Sequence, residues 1–438
     1  MVVTIVVLLI LAGVTISLLL DENGIIKKSK DARREYGTSK TNEQEQMDNA
    51  GDWIDEAVTG KVTLAKVPVG TKASKNGTIN GEEGNSNNPT IPKNYIPIDT
   101  ATSTWGDGST APSQDSVNHG LVIKDEKNNE WVWVPVDSTT LATMYEESSD
   151  EKTLCGTTGE TAVKTKLYSK SITIGTDSNK TTMSRTTPGT TADPYYREPD
   201  LVVGSDGASY DAKAEYYNTI LGFESKEKMA EAFVADYNEM IASIGQYGGF
   251  YIGRYELSSE GVQKDKLPLT ETNWYNLYKK CTELNASDKV ETRMIWGCQW
   301  DVTMNWLISS GAKTSNEVNK DSSSWGNYKD STENAKVTVT EEDGTTTNKY
   351  GSKQNTGYSE YWKANNIYDL AGNCFEWTQE AGYTHYRAVR GGNYSYSGSS
   401  NPGSNRYDYD PALSSGYGTR FSSHFNNKVK IERLILTV

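Results

Sequence analysis

Cysteine and histidine are scarce in this chain, and their spacing excludes several kinds of site. The sequence contains four cysteines and three histidines, at Cys155, Cys281, Cys298, Cys374, His119, His385 and His424. No Cys-x-x-Cys pair is present, so the sequence has neither a zinc ribbon nor a dithiol redox motif. The histidines have no paired spacing for a metal site. Two alternatives stay open for Cys281 and Cys298: one disulfide between them, or two buried free thiols.

Positive charge and apolar residues are also in short supply. The sequence has 44 Lys and Arg against 58 Asp and Glu, a formal net charge of −14, and only 35% hydrophobic residues. This acidity argues against nucleic acid and anionic membrane surfaces as partners, because both are negatively charged. The length still allows roughly two or three domains with a substantial core. We attribute the low hydrophobic content to long polar insertions and expect an exported, extracellular protein.

The only long apolar run is at the N-terminus. Val2 to Leu20 carries no charge and is long enough to cross the roughly 30 Å hydrocarbon core of a bilayer as a helix. A cleaved signal peptide is the competing interpretation, but no basic segment precedes the run. Residues Asp21 to Gly24 should break the helix, because Gly permits non-helical backbone and Asp can cap a new helix. We expect that second, polar helix to reach about Val58.

This arrangement resembles the N-terminal helix of type IV pilin-like proteins of Gram-positive bacteria. The resemblance implies a stalk, residues 1–58, that lies in the membrane before assembly and then packs against other pilin subunits. Prepilins also have a basic leader, a Gly at the cleavage point and a Glu early in the mature helix, and the sequence begins at Met1 with none of these. We favour a truncated start over an uncleaved anchor.

The most unusual composition lies near the C-terminus. From Gly391 to Asp410, 18 of 20 residues are Gly, Asn, Tyr, Ser or Asp, and four are Tyr. Antibody loops use these residues, because Tyr supplies rigid contact area and Ser and Asn supply adaptable hydrogen bonds. The alternative is an ordinary loop or linker, which is seldom so aromatic. We predict that residues 393–417 are exposed and that the ligand-binding residues are Asn393, Tyr394, Tyr396, Ser397, Ser399, Asn401, Asn405, Tyr407, Tyr409 and Tyr417.

Three motifs frame this tract: Asn366 to Asn373 leading into Glu376-Trp377, Arg387 to Gly392, and Gly418 to Phe421. With Gly249 to Glu256 and Thr292 to Asp301 upstream, they resemble the formylglycine-generating (sulfatase-modifying factor) family. The resemblance implies an α+β, C-type-lectin-like head at 91–425 with polar insertions at about 137–210 and 311–357. A linker at 59–90 and a tail at 426–438 complete the domain prediction. Residues 393–417 also resemble the variable region of proteins diversified by retroelements.

The same resemblance bears on catalysis and on metals. Enzymes of the family bind copper through two cysteines after Arg-Gly-Gly, and those places fall at about Tyr396 and Asn401, which cannot replace thiolates. We therefore predict no catalytic residue and no redox cofactor; an oxygen-dependent enzyme of that class is the alternative. The resemblance also implies a structural calcium held by carbonyls of Gly372 and Cys374 and by the Glu376 side chain. In the competing interpretation, Glu376 only caps a turn.

Hydrophobic periodicity predicts several elements of the head. They are a β-hairpin over 120–136 with its turn at Asn128-Asn129, a helix from the N-cap Ser225 to Ile244, a strand from Gly249 to Leu257, a helix from about Gln299 to Ser310, and a hairpin over 336–347.

Together these patterns predict a cell-surface or pilus-associated ligand-binding protein, an adhesin-like minor or tip pilin. Its ligand would be a surface protein or glycan that the sequence does not name. A purely structural pilin subunit is a further alternative, which leaves the recognition-like tract near the C-terminus without a role.

Overall fold

The fold combines helices with β-sheets, which is compatible with the predicted α+β class. The computed structural model describes residues 89, 91–92, 95–98, 117, 119–144, 147–155, 163–168, 172–174, 181–183, 196–203, 210–284, 290–332, 335–340, 344–349, 351–382, 385–413, 418–419 and 421–425. The predicted stalk, 1–58, and tail, 426–438, lie outside these residues. The domain boundaries therefore stay predictions.

The described elements are eighteen strands and five α-helices. The strands are β1 (Ile96–Ile98), β2 (Val122–Lys124), β3 (Glu130–Pro135), β4 (Glu147–Cys155), β5 (Val163–Tyr168), β6 (Ile172–Ile174), β7 (Thr181–Met183), β8 (Gly249–Gly253), β9 (Val290–Met294), β10 (Val337–Thr340), β11 (Thr346–Lys349), β12 (Lys363–Ala364), β13 (Ile367–Tyr368), β14 (Glu376–Ala381), β15 (Arg387–Arg390), β16 (Arg406–Tyr409), β17 (Gly418–Thr419) and β18 (Phe421–Phe425). The helices are α1 (Ser138–Met144), α2 (Lys226–Tyr247), α3 (Trp274–Glu283), α4 (Gly297–Ser309) and α5 (Ser315–Asn319).

The larger sheet is antiparallel, with strand order β1-β2-β3-β8-β18-β9. Helix α2 packs on it, because Tyr237, Met240 and Ile244 on one helix face share a core with Val132 and Phe250. The Ser225 side chain caps the first turn of α2 by accepting from the Lys228 amide over 3.2 Å. Burial of this apolar stripe is what fixes the helix on the sheet.

The smaller sheet has the order β16-β15-β14-β17. Its first three strands pair antiparallel, and β17 runs parallel to β14. Every residue of β14 and β15 is buried. Helix α4 carries the buried Trp300, Met304 and Leu307, which belong to the same core as the larger sheet.

The predicted elements occur with shifted ends. The hairpin over 120–136 is β2 and β3, and the helix predicted from Ser225 is α2, which continues to Tyr247. The predicted strand from Gly249 stops at Gly253, earlier than expected. The predicted insertion 137–210 contains α1 and four strands, and the hairpin over 336–347 is β10 and β11.

The structure bears on the predictions for the cysteines, whereas the apolar run lies outside the described residues. Cys281, Cys298 and Cys374 are buried free thiols, so the disulfide alternative for Cys281 and Cys298 is wrong. In the part of the chain that the structure describes, no helix combines the length and hydropathy needed to span a membrane. The predicted helix from Val2 to Leu20 lies outside that part.

Candidate ligand-binding site

The Tyr-rich tract connects the last two strands of the smaller sheet. Strand β15 ends at Arg390, strand β16 begins at Arg406, and these two residues pair across the sheet. We call the residues between them, Gly391–Asn405, the recognition loop. Both ends of the loop are therefore tied to a sheet in which every residue of β14 and β15 is buried.

Two buried arginines fix the base of the recognition loop. Arg390 and Arg406 each donate from Nη2 to one oxygen of the Asp301 carboxylate, over 2.5 Å in both cases. Arg406 also donates from Nε to Glu380 over 2.8 Å. All four side chains are at most 4% exposed. We call this group the arginine clamp; its opposite charges must stay paired, because an unpaired charge in the interior is very costly.

The clamp also holds the C-terminal end of the loop directly. Arg390 donates from Nε to the Asn405 carbonyl over 2.9 Å and from Nη2 to the Ser404 carbonyl over 3.2 Å. The indole N–H of Trp300 donates to the Gly403 carbonyl over 3.1 Å. Backbone acceptors are used at each position, so these bonds do not depend on the side chains of residues 403–405.

Two glycines start the recognition loop for steric reasons. Gly391 and Gly392 have φ of 84° and 77°, the left-handed region that favours glycine. A Cβ on Gly392 would lie 2.3 Å from the Asn401 carbonyl oxygen, so the chain passes close to itself here. The Tyr328 hydroxyl donates to the Gly391 carbonyl over 2.8 Å, which anchors this end to the core.

The middle of the loop rests on the segment that follows α5. The Gly398 amide donates to Asp330 over 2.8 Å, and its carbonyl accepts from the Ser322 amide over 3.2 Å. The Lys329 amide donates to the Tyr396 carbonyl over 3.0 Å. These contacts again engage the loop backbone and leave the side chain of Tyr396 outside.

A turn at residues 371–375 supports the loop from another side. Glu256 is buried and accepts from Asn373 Nδ2 over 2.6 Å and from the Cys374 amide over 3.0 Å. The Asn373 carbonyl accepts from the Tyr394 amide over 3.0 Å. Phe375, at the end of the turn, has its ring 5.7 Å from that of Tyr396. Glu256 thus positions the turn, and the turn positions two loop tyrosines.

The outer side of this assembly is aromatic. Tyr396 is 41% exposed and Tyr407 is 51% exposed, whereas Tyr409 is half-buried with its ring 5.5 Å from that of Tyr407. The Tyr409 phenol raises the pKa of Tyr396, and burial and Tyr407 add to this effect. The three phenols are therefore neighbours, and we call Tyr396, Tyr407 and Tyr409 the tyrosine face.

Serine hydroxyls lie on the outer side of the same loop. The Ser397 and Ser400 Oγ atoms are 2.6 Å apart, and Ser399 Oγ donates to Ser397 Oγ over 3.3 Å. Ser399 and Ser400 are exposed and Ser397 is half-buried. Hydroxyl groups both donate and accept, so these serines can adapt to different polar ligands.

The predicted binding residues do not all reach this surface. Tyr394 and Asn405 are half-buried, and Tyr417 lies outside the described residues. Asn393 and Asn401 are 8% and 9% exposed, so the prediction that they form part of the exposed surface is wrong. Asn393 Oδ1 instead accepts from the Ser395 amide and hydroxyl over 2.9 and 2.8 Å and so builds a local turn. Asn401 lies where the loop crosses Gly392.

Sequence reasoning missed the residues that hold the loop. Asp301, Arg406 and Glu256 had no role in the predicted site, although all three lie within or beside motifs that we had singled out. A usable signal was the placement of one arginine at each end of a tract that carries no basic residue between them. Their acidic partners lie far away in sequence, so no local pattern indicates them.

The predicted calcium ligands form an incomplete shell. Calcium takes about 6–8 oxygen ligands, whereas Gly372, Cys374 and Glu376 would supply two carbonyls and one carboxylate. Cys374 and Glu376 are fully buried, which leaves little room for water to supply the rest. Within the described ranges, no group of three or more His, Cys, Asp or Glu is placed to hold a metal ion. The calcium site at Gly372, Cys374 and Glu376 therefore stays a prediction.

The places of the copper ligands in the enzymes hold other chemistry. Tyr396 is an exposed phenol and Asn401 is a buried amide. Cys374 is the nearest thiol in sequence, and burial raises its pKa well above the ordinary value, with the Glu256 carboxylate adding to the shift. A protonated thiol is a poor ligand and a poor nucleophile.

Comparisons with known proteins find only distant likeness. No family model matches the chain, and no curated protein matches it. The solved structure of Treponema denticola variable protein 1 is similar over 40% of this chain and 85% of its own length. Its sequence identity is 14% and its TM-score is 0.27. A TM-score this low supports no conclusion about fold or function, and the resemblances to pilin-like and formylglycine-generating proteins find no match.

Proposed function

We propose that this chain is an adhesin-like ligand-binding protein whose binding surface is the tyrosine face with the outer serines of the recognition loop. The observation that carries the proposal is the rigidity of an exposed aromatic surface. Tyr396 in the recognition loop and Tyr407 in β16 are about half exposed. Their backbone is nevertheless fixed, because Arg390 of the arginine clamp holds the carbonyls of Ser404 and Asn405 and Tyr407 pairs with Val389 across the sheet. A surface ordered before binding loses little conformational entropy when a ligand arrives.

The chemistry of the surface defines the ligand class. Its side chains are phenols and hydroxyls without formal charge, although the whole chain has a net charge of −14. Tyr side chains bury large apolar area and keep a polar tip, which is why they dominate binding surfaces. A neutral or mixed polar surface of a protein or glycan fits this chemistry, and salt should affect its binding little.

Within the tract, glycines hold the loop, and the tyrosine face and the outer serines face solvent. This separation supports a surface that can be diversified. Gly392, Gly398 and Gly403 have backbone neighbours too close for another side chain or lie against the core. The tyrosine face and the outer serines point away from these contacts. Exchange of the outer residues would change the ligand and leave the loop backbone as it is.

In this proposed function the protein binds a ligand without catalysing a reaction and without a required cofactor. An oxygen-dependent enzyme would need thiolate ligands where Tyr396 and Asn401 stand. Purified residues 90–438, supplied with copper, should not oxidise a sulfatase-type cysteine peptide. Measurable turnover would contradict the proposal and favour the enzyme alternative.

We propose further that the chain acts at the cell surface as a minor or tip pilin with a C-type-lectin-like head. Support comes from the sequence: the apolar run from Val2 to Leu20 and the motifs around the recognition loop. Cells that express the full-length gene should yield sheared surface filaments containing the chain. Recovery only from the membrane fraction would indicate a simple anchored protein.

A matched pair of double variants tests the binding surface. Tyr396→Ser with Tyr407→Ser removes the exposed aromatics of the tyrosine face. Tyr358→Ser with Tyr361→Ser removes two tyrosines, 45% and 57% exposed, from another part of the surface. Wild-type protein is applied to arrays of glycans and of purified extracellular proteins. We expect the first pair to abolish binding to the wild-type ligand and the second pair to retain it. Equal binding by both pairs, or no saturable ligand on either array, would contradict the proposal.

A further inference from the structure

A second aromatic cluster lies beside the C-terminal end of β16 and shares no residue with the tyrosine face. The Tyr210 ring has its centroid 6.3 Å from those of Tyr216 and His385, and the His385 and Tyr386 rings are 4.3 Å apart. Tyr210, His385 and Tyr386 are all partly exposed, and Tyr216 is buried behind them. The proposed function does not use these rings.

Acidic groups make this cluster electronegative. The Tyr210 hydroxyl donates to Asp410, the residue that directly follows β16. Burial raises the pKa of Tyr216, and the carboxylates of Glu215 and Asp410 raise it further. We call Tyr210, Tyr216, His385, Tyr386 and Asp410 the Tyr210 cluster. Ring faces and carboxylates both attract positive charge.

A cation of the chain already occupies this cluster. Lys213 is exposed, and its Nζ lies 5.3 Å from the centroid of the Tyr210 ring. The Lys213 amide donates to the Tyr210 carbonyl over 2.9 Å, so one tight turn carries both side chains. The ammonium group of Lys213 can swing away from the ring into water without breaking that turn, because its side chain is long and flexible.

We propose that the Tyr210 cluster binds an organic cation, the lysine or arginine side chain of a protein partner, with Lys213 as its internal stand-in. An incoming cation would displace Lys213 and lie over the Tyr210 ring beside Asp410. The acidity of the whole chain helps, since it favours the approach of a cationic partner. This site is separate from the proposed function, and either can fail without the other.

Small cations test the cluster without knowledge of the partner. The probes are choline, Nα-acetyl-lysine amide and Nα-acetyl-arginine amide, and 3,3-dimethylbutan-1-ol is the neutral counterpart of choline. Binding is followed by chemical-shift titration of the full chain. We expect Lys213→Ala to bind the cations roughly tenfold more tightly than wild type, the size of one favourable cation–π contact. The neutral alcohol should not bind.

Two comparisons separate a specific site from bulk charge. Lys228→Ala removes the same charge from an exposed part of α2 where Lys228 pairs with Glu231, and it should leave cation affinity unchanged. Tyr210→Phe and Tyr210→Leu both lose the bond to Asp410, but only the former keeps the ring, so it should bind and the latter should not. Equal affinity in Lys213→Ala and Lys228→Ala, equal affinity in the two Tyr210 variants, or binding of the neutral alcohol would overturn the proposal. The ranking of the lysine and arginine probes identifies the preferred side chain.

Discussion

The hairpins β2–β3 and β15–β16 differ in how the connection between their two strands is held in place. In β2–β3 the connection closes on itself: Asp125 Oδ1 accepts from the amides of Lys127 and Asn129, each over 2.9 Å. In β15–β16 the connection is far longer, and its supports come from α4, from the segment after α5 and from the turn at 371–375. The short turn is closed by its own Asp125 and has further bonds to Val262 and Gln263. The recognition loop has its main supports in distant parts of the chain.

This difference explains which hairpin can carry function. A turn that uses its own side chains as supports has none left for a ligand. The recognition loop is held mainly through backbone atoms and glycines, so its tyrosines and serines are available at the surface. External support is therefore the physical condition for an exposed and exchangeable binding surface.

Breaking the arginine clamp should have the largest effect. Asp301→Asn leaves Arg390 and Arg406 without their shared carboxylate in a buried place, which should lower the free energy of unfolding by about 3–5 kcal/mol. Urea unfolding measures the loss, and amide chemical shifts should change throughout the recognition loop. The control is Glu231→Gln, which breaks an exposed ion pair on α2 and should change little. A clamp variant as stable as this control would show that the loop does not depend on Asp301.

Crowding at the start of the loop should have the next largest effect. Gly392→Ala must place its Cβ 2.3 Å from the Asn401 carbonyl, with φ at 77°. Gly222 has φ of 81° and no atom within 4 Å of such a Cβ, so Gly222→Ala isolates the conformational cost. We expect about 1–2 kcal/mol for Gly222→Ala, and about 1–3 kcal/mol more for Gly392→Ala from the clash. Equal losses in thermal unfolding would contradict the crossing of the chain at Asn401.

The short hairpin should respond locally. Asp125→Ala removes the acceptor of three hydrogen bonds, two from amides and one from Asn129 Nδ2 over 2.9 Å. The loss should be about 1–3 kcal/mol, because buried donors are left without partners. Chemical shifts should change in β2 and β3 and stay constant in the recognition loop. A shift that spreads to Tyr396 or Tyr407 would mean that the two hairpins are coupled.

The same contrast explains how far the sequence predicted the structure. The β2–β3 hairpin and helix α2 were predicted well, since alternation, the turn residues and the Ser225 cap are all local signals. Tyr396 and Tyr407 were also predicted to be exposed, and the structure confirms this. Asn393 and Asn401 were wrongly predicted to be exposed. The residue types around them are the same as around their exposed neighbours, and only the path of the loop buries them.

The supports of the loop were beyond local reasoning. Asp301 and Arg390 are 89 positions apart in sequence and meet only in the folded chain. Long-range ion pairs leave no periodicity, and a buried aspartate in a helix has no pattern of its own. Composition therefore indicated which residues lie on the surface of the proposed site. The residues that hold the loop could be identified only from the folded structure.

Removal of one outer tyrosine should have the smallest effect on stability. Tyr407 is 51% exposed, so Tyr407→Ala should change the free energy of unfolding by no more than about 0.5 kcal/mol. Tyr328→Phe is the opposite case, since it removes a buried hydroxyl that donates to the Gly391 carbonyl over 2.8 Å, and about 1–2 kcal/mol should be lost. Urea unfolding compares the two variants. If Tyr407→Ala were the more destabilising change, the tyrosine face would be part of the fold's own support, and its side chains would not be free to serve a ligand.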